Sequence, residues 1–596
     1  MKGFFNRVLT VDLTNKKTEG EEIGDEVLIN YLGGKGLGVY LMLTRNEKCT
    51  DPFAPDNNFV VALGPVNDTA IWGSSRFGVF TKSPLTGFFA HSYSGGRVAE
   101  PISRTGYDAI VLRGKSEEPV FLAISNKEVK FYGASDLWGL DTYASEARIK
   151  ERTGEKGAGI LVIGPAGENL VKCSTLVNNR WRCAGRTGVG AVLGSKNVKG
   201  LVFFGDKERN VADPEAVKRF RDEWLKKYMT YPSSKFFRNI GTPGLVSMIN
   251  ILEAFPTRYW QEGTREDWER ISGETLHAKH KVRAHACNRC LLACGRMTTV
   301  VGGPYAGLTI EGPEYETIYA FGGLCLIQRL DEIIYLNDLC DRLGMDTITA
   351  GNLAAFAIEA SLKGKISERL GYGDCEGVAK LLHRIATREG IGAVLAEGIV
   401  HGAQEWGLEE MAVHVKGMEP AGYDPRFFKI MGLAYATSDR GACHLRTTAF
   451  RAEVAGIIPP EQIEGKAEIS LDFEDRLNLQ DSLILCRFYR ELYQWEELAR
   501  IVQITTGRDL DKKELRRISS NIQSATRVFN IREGLTRDDD TLPSRFFEEP
   551  LGSKKSVITR SQLERMKDDY YALRGWGNRG VPLLPLPGIT PPGCSS

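Results

Sequence analysis

The segment His285-Ala-Cys287-Asn-Arg-Cys290-Leu-Leu-Ala-Cys294-Gly-Arg296 carries the strongest chemical pattern in the chain. Its C-x2-C-x3-C spacing lets three thiolates face one centre, and iron–sulfur clusters are held by four thiolates at such short spacings. The fourth thiolate must come from elsewhere in the chain, and Cys486 is the candidate. The sequence therefore predicts an iron–sulfur cluster held by Cys287, Cys290, Cys294 and Cys486.

Two other interpretations of these cysteines remain open. A structural zinc site favours two cysteine pairs, and the second pair is missing here; plain buried thiols are the other alternative. Arg289 and Arg296 lie where they could offset the charge of the thiolates, although solvated surface arginines would give the same pattern. Most of the twelve cysteines are scattered singly, which is typical of reduced thiols in a cytoplasmic protein.

The composition is that of an ordinary globular protein, with 42% hydrophobic and 26% charged residues among 596. A chain of this length predicts about three domains. The formal net charge of +1 gives no reason to expect nucleic-acid binding. The N-terminus lacks the apolar block of a signal peptide, and the chain has no run of about 18 apolar residues that would predict a membrane span.

The pattern of the chain changes near Val211. Before it, short apolar runs separated by glycine-containing turns predict a β-rich domain over residues 1–208. After it, helical periodicity dominates, and we predict two mostly helical domains over residues 209–415 and 416–596. The predicted fold class is α+β, with the β-rich domain first. Examples of the predicted strands are Phe59–Leu63, Ala109–Leu112, Val120–Ala123, Ile160–Ile163 and Leu201–Phe204.

Asp331–Leu343 is a clear predicted helix, because its apolar residues recur at helical spacing. Asp331 is the expected N-cap and Gly344 the expected stop. Further helices are predicted around Cys375–Arg388, Asp475–Leu485 and Gln562–Tyr571. The tail Gly580–Ser596 carries five prolines in its sequence GVPLLPLPGITPPGCSS and is expected to be extended.

Two predicted helix ends share a layout. Asp341-Arg-Leu-Gly-Met-Asp346 and Asp481-Ser-Leu-Ile-Leu-Cys486 each place an aspartate near a helix end and a candidate acceptor or metal ligand five residues later. Because the similar segments are so short, a chance match between them is an open alternative.

The glycine-rich segment Gly185–Asn197 is not a nucleotide motif, because its glycines lack the dinucleotide spacing and no P-loop is present. Four basic residues accompany it: Arg182, Arg186, Lys196 and Lys199. They suit the capture of phosphate or another anion, although a basic surface turn fits the same pattern. Arg76 carries the same ambiguity.

The segment Glu311-Gly-Pro-Glu314-Tyr-Glu316 places three carboxylates at the start of a predicted helix. The helix dipole makes capping the simplest role for Glu311 and Glu314. Glu316 lies nearer to the following apolar run, where desolvation would raise its pKa as a general base requires. His444 is a candidate catalyst, although a lone histidine is more often a core or surface residue.

The chain resembles the aldehyde:ferredoxin oxidoreductase family over nearly its whole length. The motifs that carry the resemblance are, in order, TKSPLTGF, GPAGEN, AGRTGVGAVLGSKN, CNRCLLACGR, EGPEYET, DRLGMD, ATSDRGACH, DSLILC, DDTLPSRFFEEP and YYALRGW. So many ordered motifs are a specific signal. The resemblance implies one tungsten or molybdenum ion held by two pterin dithiolenes without a protein ligand, and one [4Fe-4S] cluster beside it.

The resemblance also assigns residues to this cofactor set. One pterin would contact Asp341, Gly344, Met345 and Asp346, and the other would contact Asp481 and Leu485. Arg76 would bridge the cluster and a pterin, with Arg182 close by. A Mg2+ ion would join the pterin phosphates, helped by the carbonyls of Tyr93 and Cys183. The turns with Ser94, Gly95, Gly96 and Gly185 would border the cofactor, and Cys486 would complete the cluster.

Three features depart from the family pattern. Ile484 stands where the second pterin motif usually has glycine, and because isoleucine disfavours a left-handed turn, we expect the local backbone to differ. The helix Asp331–Leu343 contains no histidine, so we expect no iron bound between subunits and predict no particular dimer; an oligomer of another kind is left open. The proline-rich tail is also unlike the archetype and is a candidate for docking on a partner subunit.

The activity implied by the resemblance is oxidation of an aldehyde to a carboxylic acid, and the reverse reaction would use the same parts. Glu316 would activate water or take a proton, and His444 would act as general acid at the carbonyl oxygen. Electrons would leave through the cluster to ferredoxin or to a small iron–sulfur subunit. Expected pocket walls are Tyr315, Tyr319, Thr347 and Tyr423.

Other functions remain as alternatives. One is a low-potential reductase of an aromatic CoA thioester, like the catalytic subunit of benzoyl-CoA reductase, for which Cys443 would be the residue to watch. Another is an electron-transfer subunit that holds only the cluster, and a third is a zinc-stabilised binding module.

Overall fold

The computed structural model describes residues 1–589 of the chain. Its strands are β1 (Arg7–Asp12), β2 (Lys17–Glu22), β3 (Phe59–Ala62), β4 (Phe77–Lys82), β5 (Phe89–Ser94), β6 (Ala109–Arg113), β7 (Val120–Ile124), β8 (Val129–Gly133), β9 (Gly159–Val162), β10 (Leu176–Asn178), β11 (Arg182–Ala184), β12 (Val198–Phe203), β13 (Lys281–His285), β14 (Gly295–Thr299) and β15 (Thr309–Glu311). Because β1 to β12 all precede residue 204, the prediction of a β-rich N-terminal part is confirmed.

Two six-stranded sheets build the N-terminal part. The first has the order β2-β1-β6-β3-β4-β5 and the second β11-β10-β9-β12-β7-β8, with parallel pairing only between β1 and β6 and between β7 and β12 in this part of the chain. Leu9, Phe59 and Ile110 of the first sheet share a buried core with Leu161 and Leu201 of the second. Successive side chains on a strand point to opposite faces. The residues that alternate with these along the strands of the first sheet therefore face the helices.

Helices dominate from residue 214 onward. The helices of the N-terminal part are α1 (Asp25–Tyr31), α2 (Gly34–Arg45), α3 (Ala99–Ser103), α4 (Thr142–Thr153), α5 (Pro165–Glu168) and α6 (Val189–Ser195). Those of the middle part are α7 (Pro214–Lys227), α8 (Pro232–Asn239), α9 (Leu245–Ile251), α10 (Gly273–Lys279), α11 (Tyr315–Thr317), α12 (Leu330–Leu343), α13 (Thr347–Leu362), α14 (Cys375–Thr387), α15 (Ile391–Ala396) and α16 (Ile399–Trp406). The last part has α17 (Lys429–Thr437), α18 (Phe450–Val454), α19 (Lys466–Leu483), α20 (Trp495–Thr506), α21 (Lys512–Arg532), α22 (Ser544–Glu548) and α23 (Arg560–Arg574). The α+β class is thereby confirmed, whereas the domain boundaries near residues 208 and 415 stay predictions.

The helix α12 shows which terminal signals were correct. Gly344 follows it in the left-handed conformation with φ 74°, as predicted for the stop. Arg329, not Asp331, occupies the N-cap position, and the Asp331 carboxylate accepts a hydrogen bond from Arg329 Nε at 3.0 Å instead. The capping role predicted for Asp331 is therefore wrong, because the helix begins one residue earlier than its apolar periodicity indicated.

The ends of the chain bear on two sequence predictions. No helix within residues 1–589 is long and apolar enough to cross a membrane. The described part of the proline-rich tail, residues 580–589, contains no helix and leaves Leu583 and Leu584 exposed. Thr590–Ser596 lies outside the described residues, so docking of the tail on a partner stays a prediction.

Candidate active site

A cavity of about 380 Å³ lies between the β-rich part and the helices. Eight arginines line it: Arg76, Arg182, Arg186, Arg440, Arg446, Arg451, Arg487 and Arg490. Five carboxylates also line it: Glu311, Glu314, Glu316, Asp341 and Asp346. Aromatic side chains complete the wall, including Phe236, Phe237, Tyr315, Tyr423, Phe450 and Phe488.

Most of the site residues predicted from the sequence come together here. Those that line the cavity are Arg76, Tyr93, Ser94, Gly95, Arg182, Cys183, Gly185, Glu316, Asp341, Met345, Asp346 and His444. Those outside the cavity lining are Gly96, Gly344, Asp481, Leu485 and the four cysteines Cys287, Cys290, Cys294 and Cys486. Tyr315, Thr347 and Tyr423 are wall residues as expected, but Tyr319 is not, because its hydroxyl points away and donates to the Pro420 carbonyl at 2.6 Å.

Glu316 and His444 face each other on the cavity wall. Glu316 Oε2 accepts a hydrogen bond from the Gly422 N–H at 3.0 Å, while Oε1 has no hydrogen-bond partner and lies 3.4 Å from His444 Nε2. The Tyr423 ring packs against the imidazole with ring centroids 5.5 Å apart. His444 Nδ1 is also buried without a partner. The pair is thus held by its neighbours but keeps hydrogen-bonding capacity for a reactant.

Burial sets the protonation of this pair. It raises the pKa of Glu316 to about 8. Burial, together with the positive charges of Arg186 and Arg440, lowers the pKa of His444 well below its ordinary value. Both side chains are therefore neutral at pH 7, and their contact is not an ion pair. A carboxyl whose pKa lies near the working pH has the property that general base catalysis requires.

The arginines of the cavity carry unused hydrogen-bond donors. Arg186, Arg440, Arg446, Arg487 and Arg490 each keep at least one buried side-chain N–H without a partner. An unpaired buried donor costs about 1–3 kcal/mol, and more when it is charged. The wall therefore fits an anionic group with many acceptor oxygens. The phosphates of the pterin cofactor implied by the sequence resemblance meet this requirement.

The first of the two predicted pterin motifs follows the C-terminus of α12. Asp341 Oδ2 accepts from Asn337 Nδ2 at 2.8 Å, and its Oδ1 accepts from the Cys183 thiol at 3.6 Å. Burial raises the pKa of Asp341 well above its ordinary value. The left-handed turn at Gly344 is followed by Met345 and Asp346, which both reach the cavity.

The second motif has the same geometry at the end of α19. Ile484 takes the left-handed conformation with φ 63°, three residues after Asp481, just as Gly344 follows Asp341. The expectation that Ile484 changes the local backbone is therefore wrong. Its side chain is 1% exposed and packs against Gly34, where a Cβ would lie 2.7 Å from Ile484 Cδ1. Burial stabilises by about 1.5–3 kcal/mol, which offsets the roughly 1–2 kcal/mol cost of the left-handed backbone.

Asp481 lies one layer behind the cavity. Its carboxylate accepts from Arg446 Nη1 at 3.1 Å and also from Arg487. Both of these arginines line the cavity. Asp481 thus orients two arginines that carry free donors.

Cys486, although distant in sequence, lies close enough to Cys287, Cys290 and Cys294 for its charge to affect their thiols. Gly73 joins the two parts, because its N–H donates to the Arg289 carbonyl at 2.6 Å and its carbonyl accepts from the Cys486 N–H at 2.9 Å. The described residues contain no compact group of three metal-ligating side chains for a single ion. A four-iron cluster, whose four thiolates bind different irons, does not need one.

Close approach of backbone to Cys287 explains the glycine turn at residues 95–96. A Cβ on Gly95 would lie 2.8 Å from Cys287 Sγ, so no larger residue fits without displacement. The Gly96 carbonyl accepts from the Asn288 N–H at 3.1 Å and fixes the cysteine loop to the β-rich part. Arg182 lies beside the same sulfur and pairs with Glu311, with Nε 2.9 Å from Oε2.

Tyr489 contacts the cysteine loop on its other side. Its hydroxyl accepts from the Leu291 N–H at 2.8 Å and lies 3.8 Å from Cys290 Sγ, to which it donates. This residue is fully buried, so no solvent competes for its proton. Sequence reasoning missed Tyr489, because a tyrosine three residues after a cysteine carries no pattern of its own.

Some roles weighed from the sequence are wrong. Glu311 belongs to β15, and although Glu314 stands at the N-cap position of α11, its carboxylate accepts from the Thr242 hydroxyl and caps nothing. Lys196 Nζ donates to the carbonyls of Pro55 and Gly114, away from the cavity. Lys199 pairs with Glu168 and is likewise absent from the cavity wall. Of the four basic residues at the glycine segment, only Arg182 and Arg186 are wall residues.

The two arginines of the cysteine segment differ. Arg296 is 1% exposed and donates to the carbonyls of Phe237 and Ala293, so it holds the cysteine loop in place and is not a solvated surface residue. Arg289 is exposed, with φ 49°.

Cys443, the residue expected to distinguish a thioester reductase, does not reach the cavity. Its Sγ accepts from Arg440 Nη2 at 3.0 Å. Burial would raise the pKa of this thiol, but the charges of Arg440, Arg446 and Arg186 outweigh it and lower the pKa to about 6. The thiolate therefore balances the arginine charge from behind the wall.

The arginines on the helical side of the cavity were also missed in the sequence analysis. Arg440 and Arg446 flank His444 in the chain, and Arg487 follows Cys486 directly. Their adjacency to candidate site residues was the available signal. What the sequence does not contain is the contact between the end of α19 and the loop before α18, made by Asp481 and Arg446, that brings these arginines onto one wall.

Comparisons with known proteins agree with this geometry. Residues 8–205 match the family model of the aldehyde ferredoxin oxidoreductase N-terminal domain, and residues 219–584 match that of domains 2 and 3. The chain is 36% identical to the tungsten-containing aldehyde ferredoxin oxidoreductases of Pyrococcus furiosus and of Thermococcus kodakarensis, over 97% of each chain. It is 28% identical to the WOR-like subunit of an aliphatic sulfonate oxidoreductase of Pyrococcus furiosus, over 98% of this chain and 96% of the relative.

A solved structure gives the same fold. The active-site complex of benzoyl coenzyme A reductase with 1,5-dienoyl-CoA superposes with a TM-score of 0.83 at 25% identity, over 98% of this chain and 96% of the other. Both family models and the near-complete alignment with two curated relatives lead to one assignment. The chain belongs to the aldehyde ferredoxin oxidoreductase family of tungsten-containing enzymes.

Proposed function

We propose that this protein oxidises aldehydes to carboxylic acids in the arginine-lined cavity. The observation that carries the proposal is the neutral Glu316–His444 pair, with a 3.4 Å separation and a free oxygen and nitrogen on the cavity wall. An aldehyde and water yield the acid, two protons and two electrons, so the reaction needs a base, an electrophilic hydrogen-bond donor and an electron acceptor. The pair supplies the first two.

The residues present fit a tungsten or molybdenum bis-pterin. Arg76, Arg186, Arg446 and Arg487 would meet the phosphates, and the helix ends after Asp341 and Asp481 would hold the two pterins. The carbonyls of Tyr93 and Cys183 are the proposed protein contribution to a Mg2+ site. When bound, the cofactor supplies the acceptor for the two electrons of the oxidation.

Glu316 and His444 divide the proton chemistry between them. Glu316, held by the Gly422 N–H, takes a proton from water in its ionised form. His444, kept neutral by burial and by neighbouring arginines, donates a hydrogen bond from a ring N–H to the carbonyl oxygen. Proton transfer by one positioned group contributes about 10²–10⁴-fold to a rate. The same two residues serve the reverse reaction with their proton positions exchanged.

Cys287, Cys290, Cys294 and Cys486 are the proposed ligands of a [4Fe-4S] cluster. The curated relatives are named for ferredoxin as their redox partner, and we propose that electrons leave this chain through the cluster to ferredoxin or to a small iron–sulfur subunit.

A benzoyl-CoA reductase-like activity is the second candidate, supported by the structural similarity to that enzyme. Two features of this chain favour aldehyde chemistry over it. Cys443 is turned away from the cavity, and the Glu316–His444 pair faces into it. An electron-transfer subunit that holds only the cluster does not require a cavity of this volume lined by eight arginines, so these features argue against that alternative.

The test is an assay of anaerobically purified protein with an aldehyde panel and a viologen dye, in parallel with benzoyl-CoA. Aldehyde-dependent dye reduction that is lost in Glu316→Gln and kept in the exposed control Glu389→Gln would support the proposal. Turnover of the thioester without aldehyde oxidation would replace it by the second candidate.

A further inference from the structure

A second, solvent-open groove of about 700 Å³ borders the cysteine loop. Asn288 and Arg289, which lie between the proposed ligands Cys287 and Cys290, form one of its walls, and both are exposed. Trp72, Arg97 and Lys150 line it as well. We call the surface formed by these five residues the cluster-side groove. Cys287 and Cys290 are themselves half-buried and adjoin Asn288 and Arg289 in the chain, so the groove lies close to these two cysteines.

Backbone hydrogen bonds hold the loop that forms this wall. The Asn288 N–H donates to the Gly96 carbonyl at 3.1 Å, and the Arg289 carbonyl accepts from the Gly73 N–H at 2.6 Å. Trp72 is anchored through its indole Nε1, which donates to the Arg221 carbonyl at 2.9 Å. The groove is therefore a preformed surface on two sides, which reduces the ordering cost of binding a partner.

The charge of the groove is positive. Arg97, Lys150 and Arg289 are exposed and make no ion pair within residues 1–589. Arg104 is paired with Asp68 at 2.8 Å, and so this pair does not change the net charge of the groove. Glu100 also lines the groove, but burial raises its pKa and its carboxyl accepts from the Ser75 hydroxyl at 3.0 Å. With a net charge of only +1 for the whole chain, three unpaired cations in one groove are a local feature.

We propose that the cluster-side groove is the docking site of a small acidic electron-transfer protein, whose carboxylates meet Arg97, Lys150 and Arg289. The inference rests on the proposed function, since it needs a redox cluster at the four cysteines. Complementary charge speeds encounter and orients the partner, and redox encounters need only a small interface. Tryptophan and arginine are also the residue types enriched at protein interfaces.

The test uses the holoenzyme and a purified acidic ferredoxin. The variant is Arg97→Glu with Lys150→Glu; Arg289 is left unchanged because it lies between two proposed ligands. A charge-matched control is Lys363→Glu with Lys365→Glu, two exposed lysines after α13. We expect the Kd for ferredoxin at low ionic strength to rise at least tenfold in the groove variant and to stay unchanged in the control. The difference should shrink as salt screens the charges.

Direct binding separates this proposal from the proposed function, because it needs no turnover. Equal ferredoxin affinity of the groove variant and wild type would overturn the docking site, even if aldehydes are oxidised. Aldehyde-dependent viologen reduction should be the same in wild type, groove variant and control, since a small dye does not need the groove. A loss of viologen activity and ferredoxin activity together, with iron content reduced, would also count against a docking role.

Discussion

His444 Nε2 lies 3.4 Å from Glu316 Oε1, and both side chains are buried at the wall of one arginine-lined cavity. The two residues are 128 positions apart in the chain, and helix α11 and the loop before α18 bring them together. Because neither is charged at pH 7, attraction between ions does not hold the pair. Its position is set by the Gly422 N–H and by the Tyr423 ring.

Replacing Glu316 with glutamine should lower kcat/KM for aldehydes by about 10²–10⁴-fold, because an amide keeps the shape but cannot take a proton. Steady-state viologen assays measure the effect, with tungsten and iron contents checked in each preparation. The exposed carboxylate Glu389 provides the control, and Glu389→Gln should keep wild-type rates. Wild-type turnover in a fully loaded Glu316→Gln enzyme would rule out the base role.

The pH dependence follows from the pKa of Glu316, which burial raises to about 8. The base form gains population as the pH rises, so kcat/KM should increase with pH and level off above about 8. The effect of this group on stability has the opposite sign. The folded state binds the proton more tightly than the unfolded state, so the group's contribution is present below about pH 4.5 and is lost as the pH rises through about 8. A rate that falls between pH 6 and 8 would contradict the assignment.

Removing the Tyr489 hydroxyl should make the cluster harder to reduce. A hydrogen bond to a cluster sulfur stabilises the reduced, more negative state, and Tyr489 donates to Cys290 Sγ. A bond worth about 1 kcal/mol corresponds to roughly 40 mV for one electron. A redox titration followed by electron paramagnetic resonance measures the shift in Tyr489→Phe.

The matched control for this substitution is Tyr493→Phe. Tyr493 stacks on Tyr489 with ring centroids 5.1 Å apart, but its hydroxyl donates to the Trp72 carbonyl at 3.0 Å and not to a sulfur. The reduction potential of the cluster in Tyr493→Phe should match that of the wild type. An equal shift in both variants would show that packing, not the hydrogen bond, is responsible.

Gly95→Ala should lower the iron content of the purified protein. The added Cβ would lie 2.8 Å from Cys287 Sγ, so this cysteine must move from its proposed ligand position. Gly133→Ala is the control, because nothing lies within 4 Å of a Cβ there. The iron content per chain is measured for both variants, and circular dichroism checks that each variant is folded. Full iron content in Gly95→Ala would exclude Cys287 as a ligand at this position.

Local patterns in the sequence predicted those parts of the protein that depend on neighbouring residues. The alternation of the strands, the stop at Gly344 and the β-rich part before the helices are of this kind, whereas the cluster at the C-x2-C-x3-C loop stays a prediction. Asp331 was misassigned as a cap because the apolar stripe does not mark where a helix begins. Its partner, Arg329, lies only two residues earlier.

Properties that depend on tertiary packing were harder to predict. Ile484 keeps a left-handed backbone because its side chain is buried against Gly34, 450 residues away, and no local preference contains that contact. The spacing of Lys196 and Lys199 suited anion binding. The ammonium group of Lys196 instead donates to backbone carbonyls, and that of Lys199 pairs with Glu168. The groove at Arg97 and Lys150 likewise exists only once β5 and α4 are placed beside the cysteine loop.

Metal analysis of anaerobically purified protein tests the central claim most directly. The proposed cofactor set predicts about one tungsten or molybdenum and about four iron per chain. Iron without either heavy metal, or zinc alone at the cysteine loop, would contradict it.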